Sequence, residues 1–429
     1  MAARSESWSR PAEPGRWALV VALALSLFIG AWAALHTGFY TRSQIVDTPV
    51  YQRYGDAIAH GHVPYRDFGV EYPPGALPVF VVPALGHAEQ SDFGSFRQAF
   101  EALMWACGAL ALGGMALALR ALGAGPARST AALGFAALSP LALGSVMLSR
   151  FDLWPAALTV AALAALVSRR LRLGCGVLGF AVAVKVYPVV LAPLAIVHVW
   201  RERGRREALA CLGVLAGVVA ACFVPFLALA PGGVWDSVVR QTTRPLQIES
   251  LGSGVLLGLH HAFGLAVHWR SSHGSQNLVG SGPDAIGALQ TVLQVGALLA
   301  VWWLFARGPG GRDELVRASA AAVCAFVALG KVLSPQYLIW LIPLVPLVGA
   351  SAPRHGRRLR RRRDRARRGL QASALLGLAL VLTQIWFPFR YWSLVFSFDE
   401  LSSWLVLLRD AVLLALLAVL LRREESAAG

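Results

Sequence analysis

Charge, and lysine in particular, is scarce in this 429-residue sequence. Only 14% of the residues are charged, whereas 56% are hydrophobic, and Lys185 and Lys331 are the only lysines among 39 basic residues. A soluble protein of this length would carry roughly 25% charged residues. The apolar residues form runs of about 20 instead of amphipathic or alternating patterns. The sequence therefore predicts an all-α, polytopic membrane helix bundle and argues against a soluble globular protein.

Motifs for nucleotide binding and for serine hydrolysis are also absent. Without a Walker A, GxGxxG or GxSxG motif, a nucleotide-driven pump or a cytoplasmic sugar-nucleotide enzyme is disfavoured. The five cysteines lie in or beside apolar runs without CxxC spacing. His60 and His62 lack a third ligand, so neither a disulfide framework nor a zinc site is predicted. If the protein uses an activated donor substrate, that donor is not expected to be a nucleotide, and a lipid-linked donor fits a membrane protein better.

The arginines determine the predicted topology. The net charge of +16 does not indicate nucleic-acid binding, because most arginines lie in short clusters between apolar runs, which is the positive-inside pattern. Placing every close-set cluster in the cytoplasm predicts about twelve segments of a multi-pass cell-membrane protein. The predicted parts of this single domain, 1–429, are a cytoplasmic tail 1–16, a first extracytoplasmic loop 37–95 with a re-entrant element, a second extracytoplasmic segment 231–284, a basic cytoplasmic loop 352–369 and a cytoplasmic tail 422–429.

The densest basic cluster runs from Arg354 to Arg368 and contains ten arginines and one acid. Two roles are open for it, namely fixing the orientation of the chain and binding anionic lipid headgroups. The first is favoured. Membrane lipids are therefore expected partners, and nucleic acid is not.

A polar stretch from Asp47 to Pro74 interrupts the apolar pattern after the first predicted helix. It holds four acids, two histidines, two arginines and four tyrosines. This stretch is either a solvated connector or part of a functional site. Other charged residues lie at the outer helix ends, and charges beside membrane segments are costly. These charges favour a functional site. The charged candidates on this face are Asp47, Asp56, Asp67, Glu71, Arg150, Asp152, Lys185, Arg240, Arg244, Glu249 and Lys331.

The residue types suggest roles for several of these candidates. An ammonium group acts as a point charge for phosphate, so Lys185 and Lys331 either bind an anion or extend towards lipid headgroups. Arg150, Arg240 and Arg244 could share the same anion. An aspartate near aromatic side chains can act as a general base, and Asp47 has Tyr51 four residues later. For Asp67 a loop-stabilising hydrogen bond is the favoured role.

A set of short stretches in this order resembles a known enzyme family. The stretches are Asp47-Thr-Pro-Val-Tyr51, Tyr54-Gly55, Gly61-His-Val-Pro-Tyr65, Glu71-Tyr-Pro-Pro74, Arg150-Phe-Asp-Leu-Trp-Pro155, Lys185-Val-Tyr-Pro188, Arg244-Pro-Leu-Gln-Ile-Glu-Ser250 and Ser334-Pro-Gln-Tyr337. They are similar to actinobacterial members of glycosyltransferase family 87, the polyprenyl-phosphate-mannose-dependent mannosyltransferases. The resemblance runs from the first helix to about Pro346.

This resemblance implies a GT-C fold and an inverting transfer of a sugar, mannose first, from a polyprenyl phosphate on the outer face. The acceptor would be a glycolipid or a cell-envelope glycan. The family's catalytic aspartate matches Asp47. The sequence lacks the adjacent acidic pair that many GT-C enzymes have, which leaves the base open between Asp47 and Asp56. It also has no large soluble domain after the last helix, so acceptor recognition is expected in the bundle.

In the mechanism that the resemblance implies, Asp47 takes the acceptor proton. Lys331 and Arg244, with Lys185 or Arg150, stabilise the departing phosphate. The scheme needs no cofactor and leaves a metal-assisted version open. The substrate-binding residues predicted in this way are Tyr51, Glu71, Arg150, Asp152, Lys185, Arg240, Arg244, Gln247, Glu249, Lys331, Gln336 and Tyr337.

Two other functions compete with this hypothesis. A transporter or flippase for a polyprenyl-linked or anionic lipid would use the same basic residues without breaking a bond. The sequence has no convincing two-half repeat and no matched pair of broken helices, which disfavours this class. A structural or assembly protein would be indifferent to the loss of the Asp47 carboxylate.

Overall fold

The computed structural model describes residues 14–86, 91–351 and 359–422. Parts of four predicted segments, residues 1–13, 87–90, 352–358 and 423–429, lie outside these ranges. Within them the chain forms seventeen α-helices and one small sheet. The helices are α1 Pro14–Ala34, α2 Thr48–Ala59, α3 Leu77–Val81, α4 Phe93–Leu122, α5 Pro126–Leu143, α6 Val146–Ser149, α7 Leu153–Val167, α8 Leu171–Val184, α9 Ala192–Arg203, α10 Arg205–Leu229, α11 Pro231–Thr242, α12 Leu251–Phe263, α13 Ser281–Arg307, α14 Arg312–Ala328, α15 Leu359–Trp386, α16 Tyr391–Ser397 and α17 Glu400–Leu421.

In the part of the chain that the structure describes, six helices are long and apolar enough to cross a membrane: α1, α4, α10, α13, α15 and α17. The other apolar helices, including α7, α8 and α12, have 10 to 17 residues. A helix needs about 20 apolar residues to span a bilayer. The predicted polytopic helix bundle is confirmed, and the number of about twelve segments stays a prediction.

Helix ends follow local sequence signals. Asp92 precedes α4, and its side chain accepts a hydrogen bond from the Ser95 backbone N–H, while Gly123 ends the helix in the left-handed conformation. Ser250 caps α12 in the same way, and Gly264 ends it. Such polar caps and terminal glycines satisfy backbone groups that a helix end leaves free. One boundary differs from the prediction, because the basic loop 352–369 already belongs to α15 from residue 359 onward.

The buried centre of the bundle contains α4, α7 and α8, with α10 packed on α8 and α17 packed on α12, α14 and α15. Gly179 allows the close approach of α8 to α10, since a Cβ atom there would lie 2.5 Å from the Leu215 carbonyl oxygen. Small residues at helix contacts are typical of membrane bundles. The apolar window of α10 is only 6% buried inside the protein, so most of its surface is available to lipid.

The apolar stretch predicted as a short element after Pro73-Pro74 is a run of short helical turns, Pro74–Ala84. Its prolines prevent one continuous helix. Gly75 lies against α8, where a Cβ atom would be 2.7 Å from the Ala183 carbonyl group. The element is therefore anchored in the bundle, next to the end of α8 that leads into Lys185.

A three-stranded antiparallel sheet was not predicted from the sequence. Its strands, β1 Leu246–Gln247, β2 His268–Ser272 and β3 Ser275–Val279, lie in the order β1-β3-β2. Positive φ angles at His273 and Gly274 form the two-residue turn between β2 and β3, which suits the twist of a hairpin. The turn lies beside the first loop, because a Cβ atom on Gly274 would be 3.5 Å from the Glu71 carboxylate.

Candidate active site

Asp47 stands at the start of α2, where it occupies the N-cap position ahead of Thr48 and Pro49. Its carboxylate forms an ion pair with the Arg150 guanidinium. The Tyr51 hydroxyl lies 3.5 Å from the same carboxylate. Tyr51 is buried and stacks on Phe80, with Phe151 edge-on. The first loop thus holds Asp47 against an aromatic cluster, within reach of a cation from a distant part of the chain.

Arg150 follows α6 and is buried. Its Nη2 donates to the Ile45 carbonyl oxygen at 3.3 Å, while its Nε has no hydrogen-bond partner among the described residues. Burial lowers the pKa of Arg150 to about 10, against the opposing effect of Asp152 and Glu249. The guanidinium therefore stays charged at neutral pH and keeps a free donor inside the protein.

Asp152 and Lys185 form a buried ion pair that joins the start of α7 to the end of α8. Lys185 Nζ donates to Asp152 Oδ1 at 2.6 Å, and Trp340 Nε1 donates to the same oxygen at 2.7 Å. The ammonium lies 4.5 Å from the ring centroid of Phe151, 5.1 Å from Trp340 and 5.7 Å from Tyr337. Burial lowers the pKa of Lys185, and Asp152 opposes that shift. Aromatic faces and the carboxylate together hold a compact cation in place.

A third cluster comes from the segment between α11 and α12. Gln247 Nε2 donates to Ser334 Oγ at 2.7 Å and to the Glu249 carboxylate. Burial raises the pKa of Glu249 to about 7, although Arg409, Gln247 and Arg150 favour its charged form. Among the described residues, Glu249 Oε1, Gln247 Oε1 and Arg244 Nε have no hydrogen-bond partner. Buried polar groups without partners are rare in folded proteins and need an explanation.

The sequence interpretation missed Arg409 and Asp410, which lie in α17 and are fully buried. Arg409 Nη2 donates to the Glu249 backbone oxygen at 2.6 Å, and its Nε lies 2.6 Å from Asp410 Oδ1. The guanidinium also faces the Trp386 ring at 5.8 Å. Two adjacent charges inside an apolar run are themselves a signal of function.

Three of the cations influence one another. Arg150 and Arg244 both act on Lys185 through their charges, and Arg244 interacts with the Tyr337 side chain. These groups come from the α6–α7 turn, the end of α8, the segment after α11 and the turn before Trp340. The structure therefore brings together Asp47, Tyr51, Arg150, Asp152, Lys185, Arg244, Gln247, Glu249 and Tyr337 around one polar region.

Other predicted residues have separate surroundings. Asp56 is buried, and its Oδ1 accepts from the Ser91 hydroxyl at 2.7 Å. Asp67 accepts from the Arg66 side chain at 2.8 Å and from the Val63 backbone N–H at 2.7 Å, and the bond from Arg66 contributes most to lowering its pKa to about 2. Lys331 donates to the Thr242 carbonyl oxygen at 3.2 Å.

Three further predicted residues lie around the second segment. The backbone oxygen of Glu71 accepts from Gln241 Nε2 at 3.0 Å. Arg240 is exposed, and its charge acts on Tyr54. Gln336 is half-buried and precedes Tyr337 in the turn Pro335–Trp340. Their part in substrate binding stays a prediction.

The described residues contain no group of three or more His, Cys, Asp and Glu side chains placed to hold a metal ion. The chemistry that the cluster can supply itself is acid–base and electrostatic. A carboxylate can accept a proton, while an ammonium and two guanidinium groups can stabilise negative charge on a phosphate. Metal dependence stays an open prediction.

Comparison with known protein families gives the chain its class. The sequence model of glycosyltransferase family 87 matches residues 71–335, a range that includes Arg150, Lys185 and Glu249. The chain belongs to glycosyltransferase family 87. The family indicated by the sequence resemblance is thereby confirmed, and the protein is a multi-pass membrane glycosyltransferase. No curated protein matches the sequence.

Among solved structures, the fold is similar to ArnT from Cupriavidus metallidurans, whose crystal structure contains bound undecaprenyl phosphate. The two chains share 15% sequence identity, with a TM-score of 0.47. The similarity covers 95% of this chain and 77% of that chain.

Proposed function

We propose that this family 87 glycosyltransferase moves a sugar, mannose first, from a polyprenyl-phosphate donor to a glycolipid or cell-envelope glycan. The reaction takes place on the extracytoplasmic face and inverts the anomeric centre. The observation that supports this most is the cluster of three cations that approach one another, namely the buried Arg150, which pairs with the Asp47 carboxylate, and the half-buried Lys185 and Arg244. Two of these cations keep an unpartnered Nε within the described part of the chain.

The donor phosphate binds between these three cations. Arg150 Nε and Arg244 Nε are donors without a partner among the described residues, and several phosphate oxygens can accept from them. Lys185 adds a point charge at a position that Asp152 and Trp340 fix. Because Arg150 and Lys185 are already held in place and largely shielded from water, they stabilise the negative charge that grows on the leaving group.

Asp47 is the general base, in preference to Asp56. Asp47 lies beside Arg150 and therefore next to the proposed phosphate, where the reacting carbon must be. The Asp56 carboxylate instead accepts two hydrogen bonds from Ser91, which suits a role in holding residues that precede α4. Asp67 holds its own turn.

The transfer is a single displacement. The acceptor hydroxyl gives its proton to the Asp47 carboxylate, and its oxygen bonds to the anomeric carbon from the face opposite the phosphate. The bond between that carbon and the phosphate oxygen breaks, and its electron pair leaves with the polyprenyl phosphate. Arg150 shifts its interaction from Asp47 towards the phosphate as Asp47 becomes neutral.

Glu249 and Gln247 are suited to bind sugar hydroxyls. Each has an unpartnered side-chain oxygen among the described residues, and each is buried next to the cations. Arg409 positions this segment because it donates to the Glu249 backbone oxygen. Tyr337 and Tyr51 supply aromatic surface near the same region, and Arg240 and Lys331 are candidates at its rim.

In the membrane, the proposed active site faces outward and both termini face the cytoplasm. The proposal rests on the arginine clusters, which include Arg169–Arg172 at the far ends of α7 and α8 from Asp152 and Lys185. Clusters of this kind are retained in the cytoplasm. The acceptor and donor then meet at the outer ends of these two helices.

A transfer assay on the purified protein tests the function. The protein in lipid nanodiscs receives polyprenyl-phosphate-[14C]mannose and a membrane-lipid acceptor extract. We expect labelled glycolipid and free polyprenyl phosphate in a one-to-one ratio. Asp47→Asn should lower kcat by about 10³-fold, within the usual range for a lost general base, whereas Asp67→Asn should keep the wild-type rate.

Three results would contradict the proposal in different ways. If Asp47→Asn turns over at the wild-type rate, Asp47 is not the general base, but the transferase function stands. If other polyprenyl-linked sugars are transferred and mannose is not, the assignment of mannose as the donor sugar would be wrong. Translocation of the intact donor across a vesicle membrane would indicate a flippase, provided that the sugar–phosphate bond of none of these donors is cleaved.

A further inference from the structure

A cavity of about 460 Å³ lies at the end of the α7–α8 pair opposite to Asp152 and Lys185. Its polar lining comes from the α7–α8 turn and from the α9–α10 junction. The lining residues are Arg169, Arg170, Leu171, Arg172, Leu173, Arg203 and Glu207. Helix α7 has 15 residues and is therefore about 22 Å long. The cavity is a separate site from the proposed active site.

Positive charge exceeds negative charge in this cavity. Arg172 pairs with Glu207 through two hydrogen bonds of 2.8 Å, and Arg169 Nε lies 3.5 Å from Glu202. Neither Arg170 nor Arg203 forms a salt bridge with any residue that the structure describes. Two guanidinium groups are thus available for an anion, and their planar forks suit phosphate oxygens.

The residues around the cavity are of the types that proteins place at the level of lipid headgroups. Leu173 in its lining is exposed, as are Leu209 and Leu212 one and two turns into α10. Helix α10 is the least buried of the six long apolar helices. Trp200, one turn before Arg203, is also exposed. Arginines and a tryptophan next to exposed leucines are typical of the membrane interface.

We infer that this cavity binds the phosphate headgroup of an anionic phospholipid, with Arg170 and Arg203 as its main cationic contacts. The acyl chains then lie along the exposed leucines of α8 and α10. Free phosphate has the same charge chemistry but gains nothing from this apolar surface. The cavity size leaves room for a phosphoglycerol group with several waters, since each water occupies about 30 Å³.

Lipid binding by the purified full chain tests this inference without any turnover. Native mass spectrometry in detergent measures retention of short-chain phosphatidylglycerol, with short-chain phosphatidylcholine and inorganic phosphate as separate arms. We expect one tightly held phosphatidylglycerol. Arg170→Ala/Arg203→Ala should weaken its binding about 30-fold, from the usual contribution of basic residues at an anionic lipid surface.

The matched control is Arg120→Ala/Arg307→Ala, which removes two arginines at the ends of α4 and α13, outside the cavity. This control should bind phosphatidylglycerol like the wild type. Arg170→Lys/Arg203→Lys keeps both positive charges, so it should retain most of the affinity, and it provides a second test if Arg170→Ala/Arg203→Ala folds poorly. Unchanged binding in Arg170→Ala/Arg203→Ala would overturn the inference. An equal loss in the control would also overturn it. Displacement by inorganic phosphate at the lipid's own concentration would identify a free-phosphate site instead.

Discussion

The two ends of the α7–α8 pair carry similar ion pairs in opposite environments. At one end, the side chains of Lys185 and Asp152 are 15% and 1% exposed, and their atoms are 2.6 Å apart. At the other end, Arg172 and Glu207 are 64% and 27% exposed, and their atoms are 2.8 Å apart. The distances hardly differ, so burial is the property that separates a charge pair with a proposed catalytic role from a solvated one.

Burial matters because it removes water from both charges. The loss of hydration of a buried pair can exceed the attraction between its charges, so such a pair is weak evidence for stability. The exposed pair loses little hydration and gains little. A chain that shields Arg150 and Lys185 from water, and leaves Arg150 Nε and Arg244 Nε without partners among the described residues, is better explained by binding an anion than by folding.

The largest effect that follows from this comparison concerns Lys185. Lys185→Met should lower kcat by about 10²-fold, because a preorganised charge at the leaving phosphate is lost. This variant also leaves Asp152 buried without its cation, which destabilises the fold. Asp152→Asn/Lys185→Met removes both charges, so it should recover thermal stability while remaining inactive. Initial rates and melting temperatures of the two variants check this.

Lys331 is the matched control, since it is the other lysine of the chain and its Nζ donates to the Thr242 carbonyl oxygen. Lys331→Met should change kcat much less than Lys185→Met. If kcat falls equally in Lys331→Met and Lys185→Met, the cluster around Lys185 and the region around Lys331 do not differ in function. That result would return Lys331 to the direct phosphate role that the sequence suggested.

A smaller effect should appear in the pH dependence of stability. Burial raises the pKa of Glu249 from 4.5 to about 7, so the folded protein binds a proton that the unfolded chain has already released. Its contribution to stability is complete below about pH 4.5 and is lost as the pH rises through about 7. In Glu249→Gln this loss should be absent. Melting temperatures between pH 5 and pH 8 measure the difference, and an identical pH slope in both proteins would argue against a buried, proton-bearing Glu249.

The smallest effect is expected at the exposed end of the α7–α8 pair. Arg172→Ala should leave kcat and the melting temperature unchanged, because its ion pair with Glu207 is solvated and screened by salt. Transfer rates and thermal unfolding in the same nanodiscs provide the check. A loss of activity comparable to that of Lys185→Met would mean that the two ends do not differ as burial indicates.

The sequence was sufficient for the class of fold, the family and much of the candidate cluster. Charges are costly beside apolar runs, so Asp47, Arg150, Lys185 and Glu249 stood out without a structure. The short element after Pro73-Pro74 was also foreseeable, because its length and prolines prevent a spanning helix.

Pairings within the cluster could not be obtained in this way. Asp152 meets Lys185 across 33 residues of sequence and Trp340 across 188, and such contacts depend on tertiary packing. The small sheet was missed because its strands are short and lie in a polar segment without clear alternation. Arg409 and Asp410 were missed although two adjacent charges in the last apolar run are a sequence signal, because Arg409 contacts Glu249 across 160 residues of sequence.

The most direct test is the position of the donor phosphate. A cryo-EM map of the protein with a non-transferable phosphonate analogue of polyprenyl-phosphate-mannose should show phosphate density in contact with Lys185 Nζ, Arg150 Nε and Arg244 Nε. The anomeric carbon should then lie towards Asp47. Analogue density only in the Arg169–Arg172 cavity, or beside Lys331 without contact to Arg150 and Lys185, would contradict the assignment of the buried cluster as the active site.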